Sequence, residues 1–385
     1  MFRKHGNAYL YRKDTSIQFY LFDYMEKLRK EFPVLRHQMY VNTAVYGPMY
    51  DSLLDWRQEH DLDFLLKASE MRERSLKTIS DARTAVGTFF ACNTNNVALV
   101  TNFSIGLNLL LQGMDKKEKV LLLEGDYPSV NWPFESRPCE IFYAKIGASL
   151  EQNIRERIEQ DKCTILAMSI VQWEDGIKVD LDFLKDLKRE NPDLVIIADG
   201  TQFCGTTSFN FEESGIDIMG ASAYKWLLSG YGNGFMLFKD GIENRFSVKA
   251  TGFNAADGDF SKKETLRFAK RFEAGHLSCL NFGSLKFSLD FLTAIGTEKI
   301  EAQNKILSQK AKTEFASLSL LSDAVLSRKD HGTIFNIKGD TALFQHLLAN
   351  DVVCAQRGRG IRLGFHFYNT ETDIDEIVKI LKTGR

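Results

Sequence analysis

Short apolar runs and amphipathic segments follow one another along the middle of the chain. The apolar runs, each of a length typical of a buried strand, lie at residues 96–101, 120–123, 164–171, 194–198 and 216–221. Helical spacing of apolar residues predicts helices at residues 104–112, 150–160 and 181–190. Strands that alternate with helices indicate crossover connections and a mostly parallel sheet that is covered on both faces. Such sheets bind ligands beyond the carboxyl ends of their strands.

The pattern differs on either side of this block. N-terminal to it we predict a helix, a short strand and a pair of helices, at residues 19–30, 39–42 and 51–86. After a polar loop at residues 252–263, one long helix is predicted over residues 284–320. The remaining pattern predicts a strand, a helix, two strands and a helix, at residues 333–337, 341–349, 352–355, 360–364 and 371–381.

The length of 385 residues favours more than one domain, because single cores stop growing at about 250–300 residues. Residues 1–18 are polar and basic without a clear period, and we interpret them as an N-terminal arm. The predicted division is a large domain over residues 19–283 and a small C-terminal α+β domain over residues 284–385.

Composition excludes several classes of function. Lys and Arg number 49 and Asp and Glu 51, so the balanced charge gives no general attraction to nucleic acid or anionic membrane. The longest apolar stretches, such as residues 164–171, are far too short to span a bilayer, and the N-terminus does not resemble a signal peptide. The six cysteines are scattered without metal-ligand spacing, which favours reduced thiols in the cytoplasm and no metal site.

Two charged residues follow neighbouring predicted strands. Asp199 comes directly after the strand L-V-I-I-A, and Lys225 lies between aromatic residues just after the next strand. Taken singly, the aspartate could cap a helix or a turn, and the lysine could face solvent. Together they match the needs of pyridoxal 5'-phosphate, since a buried lysine can condense with an aldehyde. An aspartate beside a protonated pyridine nitrogen makes that ring an electron sink.

The motif S-A-Y-K-W, with D-G-T-Q upstream, resembles the class V aminotransferases, which include cysteine desulfurases, kynureninase and isopenicillin N epimerase. The resemblance extends from about Tyr40 to the C-terminus. It implies an α/β fold of the fold-type I transferases that use pyridoxal phosphate, with a mostly parallel seven-stranded sheet. It also implies a homodimer with active sites at the subunit interface.

The resemblance assigns roles residue by residue. Lys225 would form the Schiff base and then act as general acid and base at the substrate Cα. Asp199 would pair with the pyridine nitrogen, and Gln202 would hydrogen-bond the ring hydroxyl. An alternative for Gln202 is a loop residue that faces water.

Phosphate binding needs backbone N–H groups at a helix N-terminus together with hydroxyls. The turn N-F-S after the first sheet strand offers the Phe103 amide and the Ser104 hydroxyl. Ser104 could also cap the helix. Ser222 and Tyr224 match the serine and histidine that bind phosphate in many relatives, and the phenol of Tyr224 would replace the histidine as donor.

Four further residues match cofactor-binding positions of the family. Tyr127 would stack on the ring, and Trp173 would face its edge, although both could simply pack in the core. In R-F-E-A-G-H, Gly275 and His276 match a segment that reaches the neighbouring subunit's phosphate. His276 replaces the usual threonine, so it could equally be a loop histidine.

The segment R-G-R-G-I-R-L-G-F-H-F-Y-N-T resembles the arginine strand of the family. Arg362 would hold the substrate carboxylate as a bidentate fork. Arg357 is a secondary candidate that is either solvated or helps to bind a side-chain acid. His366 is expected to pack beside the strand. Cys354 is expected to be a packed thiol, since the chain leaves no room for the mobile cysteine loop of a desulfurase.

We therefore expect an enzyme that acts on an amino acid, and transamination, with a keto acid as acceptor, is the simplest reaction. A lyase or epimerase reaction, and a non-catalytic protein that binds the cofactor, stay open, whereas a desulfurase is disfavoured. The absence of Gly-rich nucleotide motifs argues against a nucleotide enzyme. A group of aromatic residues hints at an apolar or bulky substrate side chain, namely Phe103, Tyr127, Trp173, Tyr224 and Trp226.

Overall fold

The structure, a computed structural model, describes residues 24–114 and 117–384. The predicted arm at residues 1–18 lies outside this range, as does the start of the predicted helix at residues 19–30. Residues 24–29 are helical.

The helices that follow match most of the predicted ones. The α-helices are α1 (Asp51–Lys67), α2 (Met71–Phe89), α3 (Phe103–Gln112), α4 (Pro128–Glu135), α5 (Leu150–Asp161), α6 (Leu181–Glu190), α7 (Cys279–Ile295), α8 (Thr297–Ser317), α9 (Asp323–Ser327), α10 (Thr341–Ala349) and α11 (Glu371–Thr383). Short 3-10 helices lie at Pro33–Arg36, Ala68–Glu70, Thr94–Asn96, Ile242–Asn244, Phe260–Lys262 and Ala269–Phe272.

The strands form three sheets. They are β1 (Met39–Tyr40), β2 (Val97–Val100), β3 (Lys119–Glu124), β4 (Glu140–Lys145), β5 (Ile165–Ser169), β6 (Val195–Asp199), β7 (Ile218–Ser222), β8 (Gly234–Phe238), β9 (Ile334–Lys338), β10 (Val352–Val353), β11 (Ala355–Arg357) and β12 (Gly360–Gly364). The large sheet has seven strands in the order β2-β8-β7-β6-β5-β3-β4, and only β8 is antiparallel to its neighbours. This confirms the predicted mostly parallel, seven-stranded sheet.

Both faces of the large sheet are apolar. In β3, Leu121 and Leu123 pack into one buried cluster, whereas Val120 and Leu122 pack into another on the opposite face. Successive strand residues point to opposite faces, so a sheet with helices on both sides needs an unbroken apolar run. The smaller antiparallel sheet, in the order β11-β12-β9, and the parallel pair β1-β10 lie in the C-terminal part of the fold.

Several elements differ from the prediction. The helix expected over residues 284–320 is two helices, because Gly296 adopts a φ of 97° between α7 and α8. The strand expected at residues 352–355 is divided into β10 and β11, and Cys354 lies between them. The prediction lacked α4, β4 and β8. α4 contains two prolines, and β8 directly follows the Gly-rich stretch at residues 229–234.

The predicted domain boundary at residues 283 and 284 falls inside α7, and the division into domains stays a prediction. None of the helices in the described ranges combines the length and apolar character needed to cross a bilayer. Within residues 24–114 and 117–384, no group of three or more His, Cys, Asp or Glu side chains is placed to hold a metal ion. The cysteines are free thiols.

Candidate active site

A cavity of about 540 Å³ opens where the parallel strands end. The last residues of β5, β6 and β7, which are Ser169, Asp199 and Ser222, all line it. Its other lining residues come from the loops that follow the strands and from the start of α3: Thr101, Asn102, Phe103, Ser104, Ile105, Tyr127, Ser129, Trp173, Thr201, Gln202, Tyr224, Lys225, Tyr231 and Gly232. The site therefore lies where ligands bind in open α/β sheets.

The two charged residues predicted to act together meet in this cavity. Asp199 and Lys225 are only 5% and 6% exposed. Burial raises the pKa of Asp199, and the positive charge of Lys225 opposes that rise. Burial likewise lowers the pKa of Lys225, and the charge of Asp199 opposes that fall. A lysine whose neutral form is favoured is a better nucleophile toward an aldehyde.

The backbone around Lys225 is held from two sides. Ser229 donates from its hydroxyl to the Ala223 carbonyl at 2.9 Å, which closes the loop that carries the lysine. On the other side, the Gly47 N–H donates to the Tyr224 carbonyl at 2.9 Å. A Cβ atom at Gly47 would overlap the Lys225 carbonyl oxygen, so the lysine backbone fits against a residue without a side chain.

One end of the cavity is rich in hydrogen-bond donors. Phe103 is the first residue of α3, and its N–H donates to the Ser222 hydroxyl oxygen at 3.0 Å. The Ser104 hydroxyl donates to Ser129 at 2.7 Å. The helix cap is Asn102, whose side chain accepts from the Ile105 N–H at 2.9 Å, so Ser104 is not the cap. A helix N-terminus surrounded by hydroxyls is suited to an anion.

Aromatic rings surround the lysine amine. The Lys225 Nζ lies 5.6 Å from the ring centre of Tyr127 and 5.7 Å from that of Tyr224. Trp173 packs edge-on to Tyr127 with 5.9 Å between ring centres. Burial raises the pKa of Tyr224 to about 12, so its phenol stays protonated at neutral pH and can donate a hydrogen bond.

The Gln202 amide is largely engaged within the protein. Its nitrogen donates to the Ala44 carbonyl at 3.0 Å, and its oxygen accepts from the Trp226 indole N–H at 2.7 Å. One N–H of the amide is left for the cavity, because an amide nitrogen has two hydrogens. Trp226 is buried and does not line the cavity, so it does not belong to the aromatic lining predicted from the sequence.

Arg362 lies on β12 and is 3% exposed. Its Nη1 donates to the Trp173 carbonyl at 2.6 Å, and its Nε is buried without a partner. Burial lowers the pKa of Arg362 to about 10, so it is still a cation at neutral pH. Arg357 is exposed on β11. His366 is buried after β12 and shares a hydrogen bond with the Trp226 carbonyl at 3.0 Å, which fits the predicted packing role.

The structure does not bring every predicted residue to this cavity. Gly275 and His276 are exposed and do not line it, so their contact with a neighbouring subunit stays a prediction. Arg362 and Arg357 do not line it either, so their roles in substrate binding also stay predictions. The preceding residue Glu273 is buried, and its carboxylate accepts from Arg83, from Lys270 and from the backbone N–H of Leu99.

Sequence reasoning missed several polar residues of the site. Ser129 follows the Y-P turn, and only its bond with Ser104 reveals its place. The Thr201 hydroxyl accepts from the Ser222 N–H at 3.0 Å and joins the two halves of the site. Asp126 accepts from the Ser169 N–H at 2.7 Å, beside the end of β6. Asp126 lies three residues after the predicted strand at residues 120–123, and this position close to a strand end was the available signal.

Fold and site together define an enzyme class in which a lysine at the end of a parallel sheet holds an aldehyde cofactor. The chain belongs to the class V aminotransferase family, whose model matches residues 64–377. The cofactor of this family is pyridoxal 5'-phosphate. The resemblance seen in the sequence is thereby confirmed.

Relatives within this family carry different activities in their names. The chain is 23% identical over 362 residues to the uncharacterized aminotransferase YcbU of Bacillus subtilis, covering 91% of this chain and 97% of that protein. It is 22% identical to the isopenicillin N epimerase of Amycolatopsis lactamdurans, covering 78% and 83%. The apo cysteine desulfurase of Thermococcus onnurineus superposes with a TM-score of 0.80 at 15% identity, covering 93% and 97%. These similarities define family and fold but leave the reaction open.

Proposed function

We propose that this protein is a pyridoxal phosphate enzyme that acts at the Cα of an amino acid, and that it is an aminotransferase. The observation that supports this most directly is the buried pair of Lys225 and Asp199 in one cavity. The donor set fits the cofactor, because the cavity lining combines hydroxyls and the α3 N-terminus with a carboxylate and an amine. When bound, the cofactor supplies an electron sink for the Cα carbanion.

The residues of the chain then have separate tasks. Asp199 holds a negative charge where the pyridine nitrogen would lie. Ser104, Ser129 and Ser222 would hold the phosphate, and Tyr127 would pack on the ring. Lys225 Nζ would accept and return a proton at the substrate Cα, which is the general acid and base role that transamination needs from the protein.

Substrate binding would depend on Arg362. Its free Nε is a buried donor without a partner in the described chain, and such a group costs free energy unless a ligand satisfies it. A carboxylate can accept from two guanidinium nitrogens at once. The α-carboxylate of the amino acid would therefore complete the hydrogen bonding of this side chain.

Cys354 does not have the properties of a sulfur acceptor. The thiol is buried, and burial raises its pKa to about 12. A thiolate is the nucleophilic form, so this cysteine is poorly suited to persulfide chemistry. The proposal therefore favours transamination over desulfuration.

The proposal can be tested by spectroscopy and product analysis. The holoenzyme should be yellow, and borohydride reduction should bleach it and leave the reduced adduct on Lys225. A matching amino acid should convert the visible band to that of the pyridoxamine form and release the keto acid. Release of alanine or sulfide, or racemisation without keto acid, would favour a lyase, desulfurase or epimerase. A bound cofactor that no amino acid changes would indicate a non-catalytic protein.

We also propose a homodimer with shared active sites. Leu62, Leu65 and Leu66 of α1 are 54%, 78% and 71% exposed, and exposed apolar side chains in one helix favour a protein contact. The exposed His276 would then reach the partner's phosphate. Light scattering gives the mass, and mixing the Lys225→Ala and His276→Ala variants would restore some activity if the sites are shared. A monomer at micromolar concentration would refute this part.

A further inference from the structure

The small antiparallel sheet presents one polar face and one apolar face. In β12, Ile361 and Leu363 are fully buried and point to the apolar side. Gly360 and Arg362 alternate with them and therefore point to the other side. The register pairs Arg357 with Gly360, and Ala355 with Arg362. Directly paired residues share a face, so Arg357 and Arg362 are diagonal neighbours on the polar face.

Nothing from the opposite strand covers Arg357, because its partner in the register is a glycine. Within the described residues, its guanidinium makes one hydrogen bond, which it donates to the neighbouring Gln356 carbonyl at 2.9 Å. No carboxylate in residues 24–114 or 117–384 lies within ion-pair distance of either arginine, although both are cations. The Glu174 carboxylate packs against Gly358 in the turn between β11 and β12, and its negative charge raises the pKa of Arg362.

This polar face lies beside the candidate active site, and neither arginine is among the residues that line the cavity. Arg362 donates to the Trp173 carbonyl, and Trp173 lines the cavity. The positive charges of Arg362 and Arg357 both lower the pKa of Lys225, which places them within electrostatic range of the amine. Two arginines on one face beside the cavity can hold more negative charge than a single α-carboxylate carries, and Glu174 offsets part of their charge.

We infer that Arg357 is a specificity residue and that the substrate is an amino acid with a second carboxylate on its side chain. This inference rests on the proposed function, since it assumes that Arg362 binds the α-carboxylate. Arg357 would donate to the distal carboxylate, and its exposure lets the side chain move onto an entering ligand.

Binding of unreactive acids to the holoenzyme tests this directly. Glutarate and pentanoate have the same carbon chain and differ by one carboxylate, and calorimetry gives the dissociation constant of each. Glutarate should bind about tenfold more tightly than pentanoate, which corresponds to one charge-assisted hydrogen bond at a partly exposed site. Arg357→Ala should abolish this preference. Arg359→Ala is the matched control, because it removes the same charge from the exposed turn of the same hairpin and should keep the preference.

A second measurement separates this inference from the proposed function. The spectral change produced by glutamate should need a higher concentration in Arg357→Ala, by about tenfold, whereas that produced by norvaline should be unaffected. Arg357→Lys keeps the charge and should restore part of the loss. Equal binding of glutarate and pentanoate by the wild type, or a preference that survives in Arg357→Ala, would overturn the inference. If no amino acid changes the spectrum, the proposed function itself fails.

Discussion

Replacing Gly47 with alanine tests whether the turn around it positions the lysine. The backbone of Gly47 is not in the left-handed region, so alanine is not strained there by its own conformation. A Cβ atom would overlap the Lys225 carbonyl oxygen, and it would lie 2.8 Å from Cδ2 of Leu228 and 3.0 Å from the Lys225 carbonyl carbon. Ordinary contacts are at 3.4–4 Å, and backbone cannot swing aside as a flexible side chain can.

The turn at Gly47 and the segment that carries Lys225 must therefore move apart by on the order of 1 Å. Overpacking of this kind lowers the free energy of unfolding by about 1–3 kcal/mol. A displacement of about 1 Å in a reacting group can lower the rate about 100-fold. We expect Gly47→Ala to lose stability in urea unfolding and to slow the spectral change on mixing with amino acid. Gly147→Ala is the control, because a Cβ there meets nothing within 4 Å. If both variants react and unfold like the wild type, this account of how Lys225 is held is wrong.

Three further predictions concern binding and stability. Arg362→Ala should raise the amino-acid concentration needed for the spectral change by at least about tenfold, and unchanged affinity would show that another group binds the carboxylate. Glu273→Ala should lower the free energy of unfolding by about 3–5 kcal/mol, because Arg83 and Lys270 lose the carboxylate that they share in the interior; an unchanged urea midpoint would contradict this. Burial lowers the pKa of His331 to about 4, whereas the unfolded residue takes up a proton near pH 6.5. Stability should therefore fall as the pH drops from about 6.5 toward 4, and His331→Asn should show a shallower fall in the same titration.

The sequence predicted the parallel strands well because their apolar runs are continuous, as burial on both faces requires. The prediction of secondary structure failed where residues that disfavour helices, such as proline and glycine, lie within a helix or at its end. α4 contains two prolines, and proline disfavours a helix in general, although Pro128 is at the first helical position, where proline is tolerated. Gly296 was not recognised as the break between α7 and α8, since a glycine near a helix end gives no unique signal.

The site was predictable where a residue directly follows a strand, as Asp199 does, or lies in an unusual motif, as Lys225 does. It was not predictable where the role depends on which loops meet. Ser129 and Thr201 are ordinary loop residues in the sequence, and only the fold brings them to Ser104 and Ser222. The hydrogen bond of Trp226 to Gln202 likewise removed that ring from the cavity. Such contacts join residues far apart in the chain, and local patterns carry no information about them.

The parallel pairing of β1 with β10, together with the bridge from Asn42 to Gly364, has a consequence for synthesis on the ribosome. The segment that ends in Gly47 emerges from the ribosome long before the strands with which it pairs. Contacts between the two ends of a chain form slowly, since a long loop must close first. The contacts that hold the Gly47 segment against Lys225 therefore cannot all form until β10 and β12 have been made. A chain released early, before residue 352, would lack a finished catalytic pocket even with every residue of the large sheet present.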